Sequence, residues 1–208
     1  MPGLDSVVGD HERILVRQNK EWGEILIGFE SKNKFEISDD QGNPIGLAAE
    51  QGGGFGAMLG RQFFGHCRKA TIHIYDRAGN AVGRGEKPFR WFFQRMEVFD
   101  GDQRIGAIER KFTWLTRRLV VENAAGEEIM EIAGPMLLLG RGTFRLTFQG
   151  QEVGKISKQW GGVLREMFTD ADTFGVEWAS HVPQEIRKIL LVATFLIDFT
   201  YFENNNRD

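Results

Sequence analysis

One unit recurs along this chain and limits what it can become. A run rich in β-branched and aromatic residues enters a polar turn holding a glycine, then leaves as a second apolar run. Lys34-Phe35-Glu36-Ile37 leads through Asp39 to Asn43 into Ile45-Gly46, and Thr71-Ile72-His73-Ile74-Tyr75 leads through Asp76 to Asn80 into Val82-Gly83. Met96 to Phe99 turns at Asp100-Gly101-Asp102 into Ile105-Gly106, Leu119-Val120-Val121 at Asn123 to Gly126 into Ile129, and Phe144 to Phe148 at Gly150 into Val153-Gly154. Apolar and polar residues alternate within each run, the two-residue period of a half-buried strand. The turns are built from Asp, Asn and Gly, which accept the left-handed backbone of tight hairpins. Five successive β-hairpins follow. A sixth is expected from Ile14-Leu15-Val16 paired with Glu24 to Phe29 across Asn19 to Gly23. About twelve antiparallel strands in one small domain point to a sandwich or a closed barrel, since closure removes exposed edges.

The end of the chain breaks the pattern. Pro183 suits the first turn of a helix and Glu185 its positive pole. Ile189 to Phe202 is then apolar apart from Thr194, Asp198, Thr200 and Tyr201, and Arg187, Thr194, Asp198 and Tyr201 form one narrow polar stripe on a helical wheel. A helix this apolar is buried either in protein or in lipid. A span needs roughly 20 apolar residues, and a central Asp or Lys costs about 2.5–3.5 kcal/mol. Arg187, Lys188 and Asp198 weigh against a span, and a closed barrel needs a filling. Both readings stay open at this point.

Composition restricts the function. The chain has 208 residues, 41% of them apolar, and a net charge of −3 from 26 basic and 29 acidic side chains. That is enough for one substantial core. There is no basic excess or block to track nucleic acid, so no nucleic-acid partner is expected. Cys67 is the single cysteine, so no internal disulfide forms and a reducing compartment suits the chain. The N-terminal residues read as neither a secretory leader nor a myristoylation site, and no C-terminal prenylation box follows. The expectation is a cytoplasmic protein.

Three stretches carry a resemblance. They are Gly154-Lys155-Ile156-Ser157-Lys158-Gln159-Trp160, then Leu164 to Val176, then Phe195-Leu196-Ile197-Asp198-Phe199. With Asn33 to Ile37, Ala48-Ala49-Glu50 and Ile132 to Pro135, they make the chain resemble the phospholipid scramblase family from about residue 13 to 203. The resemblance implies a mainly β, Tubby-like fold, a twelve-stranded barrel around a C-terminal helix. The expected layout is a flexible segment at 1–12, one barrel domain at 13–203 with its central helix at about 183–202, and a polar tail at 204–208. The resemblance also implies calcium-dependent phospholipid movement between leaflets and, in Tubby relatives, phosphoinositide binding. The family's proline-rich tail and palmitoylated cysteine cluster have no counterpart here, so palmitoyl anchoring is not carried over.

Candidate sites follow from this frame. The family's calcium loop falls on Asp170 to His181. Calcium takes about 6–8 oxygens, supplied in an EF-hand from loop positions 1, 3, 5, 7, 9 and 12. Only Asp170 and Asp172 place carboxylates in register, whereas Phe174 and Trp178 offer no side-chain oxygen and His181 replaces the closing acid. The calcium site is therefore weak, and the bland alternative is that both aspartates cap or turn the chain. The glycine-rich Gly52 to Gly65 lacks a phosphate-loop ending. Its Phe55, Met58, Leu59, Phe63 and Phe64, beside Arg61, suit insertion at a bilayer interface, or else they cover one end of the barrel. The stretch from Arg110 to Arg118, containing Phe112, Trp114, Arg117 and Arg118, suits an anionic-lipid face together with Lys155 and Lys158. The alternative there is a set of solvated strand ends with Trp114 in the core. The four histidines are not spaced as metal ligands and no nucleophile elbow exists, so no catalytic centre is expected. Two functions compete: a membrane-associated, lipid-interacting protein that meets anionic phospholipid peripherally, and a soluble interaction module on the same barrel. Oligomeric state is not legible.

Overall fold

The computed structural model describes residues 3–18, 33–51, 67–114, 116–135, 142–158 and 173–202. Twelve strands are present: β1 (Arg13–Gln18), β2 (Lys34–Ser38), β3 (Pro44–Glu50), β4 (Ala70–Asp76), β5 (Ala81–Lys87), β6 (Arg95–Asp100), β7 (Gln103–Lys111), β8 (Arg117–Asn123), β9 (Glu128–Gly134), β10 (Thr143–Phe148), β11 (Gln151–Ser157) and β12 (Thr173–Trp178). A single turn, α1 (Asp5–Val8), precedes them, and an 18-residue helix, α2 (Gln184–Tyr201), ends the fold. Each strand pairs antiparallel with its sequence neighbours, and β1 pairs with β12 to close a barrel.

The five hairpins read from the sequence are β2–β3, β4–β5, β6–β7, β8–β9 and β10–β11. Their turns show why the residue types matter. Asp76 Oδ1 accepts the backbone N–H groups of Ala78 and Asn80, both at 2.9 Å, and Asn80 Nδ2 donates to Asp76 Oδ2 at 2.9 Å. Asp39 and Asn43 repeat the arrangement. The glycine before each asparagine has a strongly positive φ (Gly42, 84°; Gly79, 83°), which an L side chain rarely adopts.

The sixth hairpin needs correction. β1 pairs with β2 on one side, Val16 opposite Ile37, and with β12 on the other, Val16 opposite Phe174. The expected return strand at Glu24 to Phe29 lies outside the described residues. The last strand is instead drawn from the expected calcium loop. Phe174, Val176 and Trp178 alternate into the core from β12, so residues 173–178 form a strand. Asp170 and Asp172 lie outside the described residues.

The helix lies inside the barrel. Every residue from Ile186 to Ile197 is buried, as is Phe199, and the apolar face of each strand closes on them in one core. Among the described residues no helix is long and apolar enough to cross a membrane. Of the two readings of the helix, the protein-buried one holds. Two of its buried polar side chains are met internally: Arg187 Nε donates to the Val182 carbonyl at 2.7 Å, and Thr194 Oγ1 to the Leu191 carbonyl at 2.7 Å. α2 runs close to β5 and β7. A Cβ on Gly106 would stand 2.6 Å from Ile189 Cδ1 and 2.2 Å from the Glu122 carbonyl oxygen, so only glycine lets strand and helix approach this far.

Residues 3–8 pack into the fold rather than extend from it. Leu4, Val7 and Val8 are fully buried and complete the core at one end of the barrel. Lys188 Nζ ties them down, 2.6 Å from Asp5 Oδ2 and 2.8 Å from Asp100 Oδ2, and the Leu4 N–H donates to Asp100 Oδ1 at 2.6 Å. So few aliphatic side chains in so short a segment are a weak periodic signal, and their place in the core shows only once the barrel end they fill is assembled.

Candidate functional site

Antiparallel strand order gives the barrel two unlike ends. At one end lie the five tight hairpin turns, the α1 plug and the start of α2. At the other, among the described residues, lie connections that join one hairpin to the next, and the C-terminal end of α2. Two of these connections shape that mouth. Residues 88–94 join β5 to β6, and residues 112–116 join β7 to β8. β6 and β7 are paired neighbours, and the Arg110 N–H donates to the Gln94 carbonyl at 2.7 Å, so the two connections leave the barrel side by side.

These connections display the large apolar side chains that the core did not take. Trp114 is 88% exposed, Phe92 77%, Phe112 65% and Trp91 61%, with Phe89 and Phe93 beside them about half exposed. Phe112 stacks edge-on against Trp114 and Phe89 against Trp91, each at 5.5 Å between ring centroids. The alternative that put Trp114 in the core is overturned: the β7 pattern ends at Lys111, and Trp114 stands beyond the last paired residue. Large apolar side chains displayed in this way at a barrel end mark an interaction surface.

Cations ring the mouth behind the aromatics. The Arg117 guanidinium carbon lies 4.6 Å from the centroid of the Tyr201 ring, and that of Arg110 5.6 Å. Lys158 Nζ lies 4.4 Å from the Phe202 ring and 5.6 Å from Phe174, and the Arg68 guanidinium 5.1 Å from Phe199. The negative pole of α2 therefore ends among positive charges. Burial raises the pKa of the Tyr201 phenol, with Arg110 and Arg117 pulling it back only in part.

The structure thus gathers some of the expected residues and separates others. Arg117, Lys158 and Tyr201 converge at the mouth, and Asp198 lies half-buried one turn back along α2. Arg118 pairs with Glu131 at 2.8 Å and Lys155 with Glu177 at 2.8 Å instead. Arg187 and Thr194 are spent on helix hydrogen bonds in the core. Phe55, Met58, Leu59, Arg61, Phe63 and Phe64 lie outside the described residues. Sequence reasoning misses the stretch from Phe89 to Phe93. Its signal is four aromatics within five residues that break the strand alternation.

The other end is acidic. Asp10, Glu12, Asp40, Glu152 and Glu177 line a cleft of about 580 Å³ together with His11 and Arg13. Between the ends the wall is charged. Arg95 reaches Glu122 through two contacts of 2.9 and 2.7 Å and Glu97 at 2.6 Å, and Arg104 meets Glu97 at 2.7 Å. Hydrogen bonds from Arg95, against the opposing effect of burial, hold the Glu122 carboxyl below its ordinary value. A wall that carries such a network does not face hydrocarbon, where a lipid-facing strand is apolar.

Known proteins share this sequence across its length. The Scramblase family model matches residues 2–204. Human phospholipid scramblase 1 is 32% identical over 98% of this chain, which spans 66% of that protein's length. Human phospholipid scramblase 2 is 30% identical over 97% of the chain and 71% of its own length. The yeast (Saccharomyces cerevisiae) altered inheritance rate of mitochondria protein 25 is 24% identical over 93% of the chain and 71% of its own length. An X-ray structure of an Arabidopsis thaliana protein superposes with a TM-score of 0.49 at 12% identity, covering 93% of this chain and 95% of that one. The chain belongs to the Scramblase family.

Proposed function

We propose that this member of the Scramblase family is a lipid-interacting protein that docks end-on to anionic membranes through the mouth of its barrel. The carrying observation is the pair of adjacent connections bearing Trp91, Phe92, Phe112 and Trp114 in water, backed by the cations around Tyr201. Tryptophan and phenylalanine at a loop tip partition into the headgroup boundary. Each nearby Lys or Arg adds about 1 kcal/mol of attraction to an anionic leaflet. The acidic cleft at the far end favours this orientation, since the same leaflet repels it.

Relatives named phospholipid scramblases bring phospholipid into view as the partner, and help with transbilayer phospholipid movement is the further step of this reading. The interior is filled by α2 and the strand side chains, so headgroups do not pass through the barrel. Any effect on lipid crossing comes from the docked end disturbing the bilayer beneath it. The location that follows is peripheral, on the cytoplasmic leaflet.

Co-flotation of the purified chain with neutral or anionic vesicles, with and without calcium, tests this. Wild type is expected to float with anionic vesicles, and the Trp91→Ser/Trp114→Ser variant to stay behind. A calcium requirement assigns a role to Asp170 and Asp172. Wild type that floats with no vesicle would sink the membrane reading in favour of a soluble interaction module.

A further inference from the structure

Two unmet polar groups belong to one contact at the mouth. Among the described residues the Tyr201 hydroxyl is shut off from water without a hydrogen-bond partner, and so is Nε of Arg117, whose guanidinium lies over the Tyr201 ring. Buried polar groups in folded proteins are nearly always paired, and an orphan asks for a ligand or an ordered water. Neither Arg117 nor Arg110 pairs with a carboxylate among the described residues; both face the ring instead. Lys158 is close by, over Phe202. Two negative features oppose them. One is Asp198, one turn back on the same helix, which has interactions of its own. The other is the C-terminal pole of α2, equivalent to about half a charge. Against these stand the guanidiniums of Arg117 and Arg110. Burial keeps the Tyr201 phenol protonated, so it acts as a donor.

We propose that this mouth is a binding site for the phosphate of a phospholipid, held by the guanidiniums of Arg117 and Arg110 and by the Tyr201 hydroxyl. A guanidinium presents a planar fork of N–H donors that matches two phosphate oxygens, and the phenol supplies a third direction for a tetrahedral anion. Entry requires the Arg117 side chain to swing from the ring toward the ligand. That exchanges a cation–π contact for charge-assisted hydrogen bonds and uncovers the hydroxyl. The proposal rests on the docking reading for delivery, because docking by the aromatic connections sets the mouth at headgroup depth.

The test uses the full chain and two variants, Tyr201→Phe and Trp114→Ser. Vesicles carry equal amounts of either phosphatidic acid or a fatty-acid carboxylate. Melts are run with a water-soluble short-chain phosphatidic acid and, separately, with inorganic phosphate. Tyr201→Phe is expected to melt no lower than wild type, because its hydroxyl has no partner to lose. Its affinity for phosphatidic acid vesicles falls about tenfold, the usual worth of a hydrogen bond to a charged group, while binding to carboxylate vesicles is unchanged. The short-chain lipid raises the Tm of wild type and of Trp114→Ser, but not that of Tyr201→Phe. Tyr201→Phe that binds both vesicles like wild type overturns the site and leaves docking standing. Wild type that fails to float, yet is stabilised by the short-chain lipid, keeps the site and removes docking. Inorganic phosphate that stabilises as strongly as the lipid overturns the lipid assignment. No shift with either probe means that water alone fills the gap, which also overturns it.

Discussion

Leu4→Ala separates a plug from a tail. Leu4 is fully buried and fills the space where Gly83 has no side chain: a Cβ there would stand 2.6 Å from Leu4 Cγ. Truncating a buried leucine costs about 2–5 kcal/mol, the transfer loss plus the cavity left behind. The upper half of that range applies only if α1 stays in place, and it is anchored: Lys188 bridges Asp5 and Asp100, and Asp100 accepts the Leu4 N–H. With a urea m-value of about 2 kcal/mol/M, the unfolding midpoint drops by about 1.8–2.5 M. Urea unfolding followed by circular dichroism reads this directly. A flexible first segment predicts a change within about 0.5 kcal/mol, the usual range for surface substitutions. A midpoint that moves by no more than that would refute the plug.

Two further outcomes follow from the packing and the charges. Glu122→Gln removes a carboxylate whose pKa is depressed in the fold by hydrogen bonds from Arg95. Its contribution is present above the unfolded value near 4.5 and is lost as pH falls through the lower folded value. The stability gap between wild type and variant, about 1–3 kcal/mol at neutral pH, therefore narrows in melts taken down to about pH 3; a gap that widens on acidification contradicts the assignment. Gly106→Ala forces its new methyl against the Glu122 carbonyl and Ile189, and costs about 1–3 kcal/mol or more by thermal melt. A neutral result would mean that α2 does not approach β7 so closely.

The hairpins are legible because their information is local. A two-residue period and an Asp-x-x-Gly-Asn turn declare themselves within a few residues, and Asp39 to Asn43 and Asp76 to Asn80 fold alike for that reason. Barrel closure is not local. β1 and β12 are the first and last strands of the chain, yet Ile14 meets Val176 across them, and no short window of sequence shows this. The strand at 173–178 is hidden on the same ground, because Phe174, Val176 and Trp178 read equally as loop positions or as an inward strand until a partner is known. At the mouth, Arg117, Lys158 and Tyr201 stand out in the sequence for separate reasons. Their convergence depends on the height of α2 in the barrel, which the close glycines at 85 and 106 help to set. The aromatics at 89–93 are visible as residues, but burial and display of an aromatic run look alike in one dimension.

Salt gives the last discrimination, between charge and insertion as the force that holds the docked state. The whole chain carries a net charge of −3, so a uniform charge distribution would be repelled by an anionic leaflet. Attraction depends on the segregation of cations to the mouth and acids to the far cleft, and that acts within a Debye length, about 8 Å at physiological ionic strength and about 3 Å at 1 M. Each exposed aromatic contributes up to about 1.5–3 kcal/mol if fully buried in an apolar phase, and this survives salt. Four such side chains, Trp91, Phe92, Phe112 and Trp114, therefore outweigh three cations at about 1 kcal/mol each. Raising salt to about 1 M is expected to weaken flotation with anionic vesicles toward the level seen with neutral ones, without abolishing it. Trp91→Ser/Trp114→Ser should then lose the salt-resistant part and keep the salt-sensitive part. Complete release of wild type by salt would show that the aromatics remain in water and that docking is electrostatic alone.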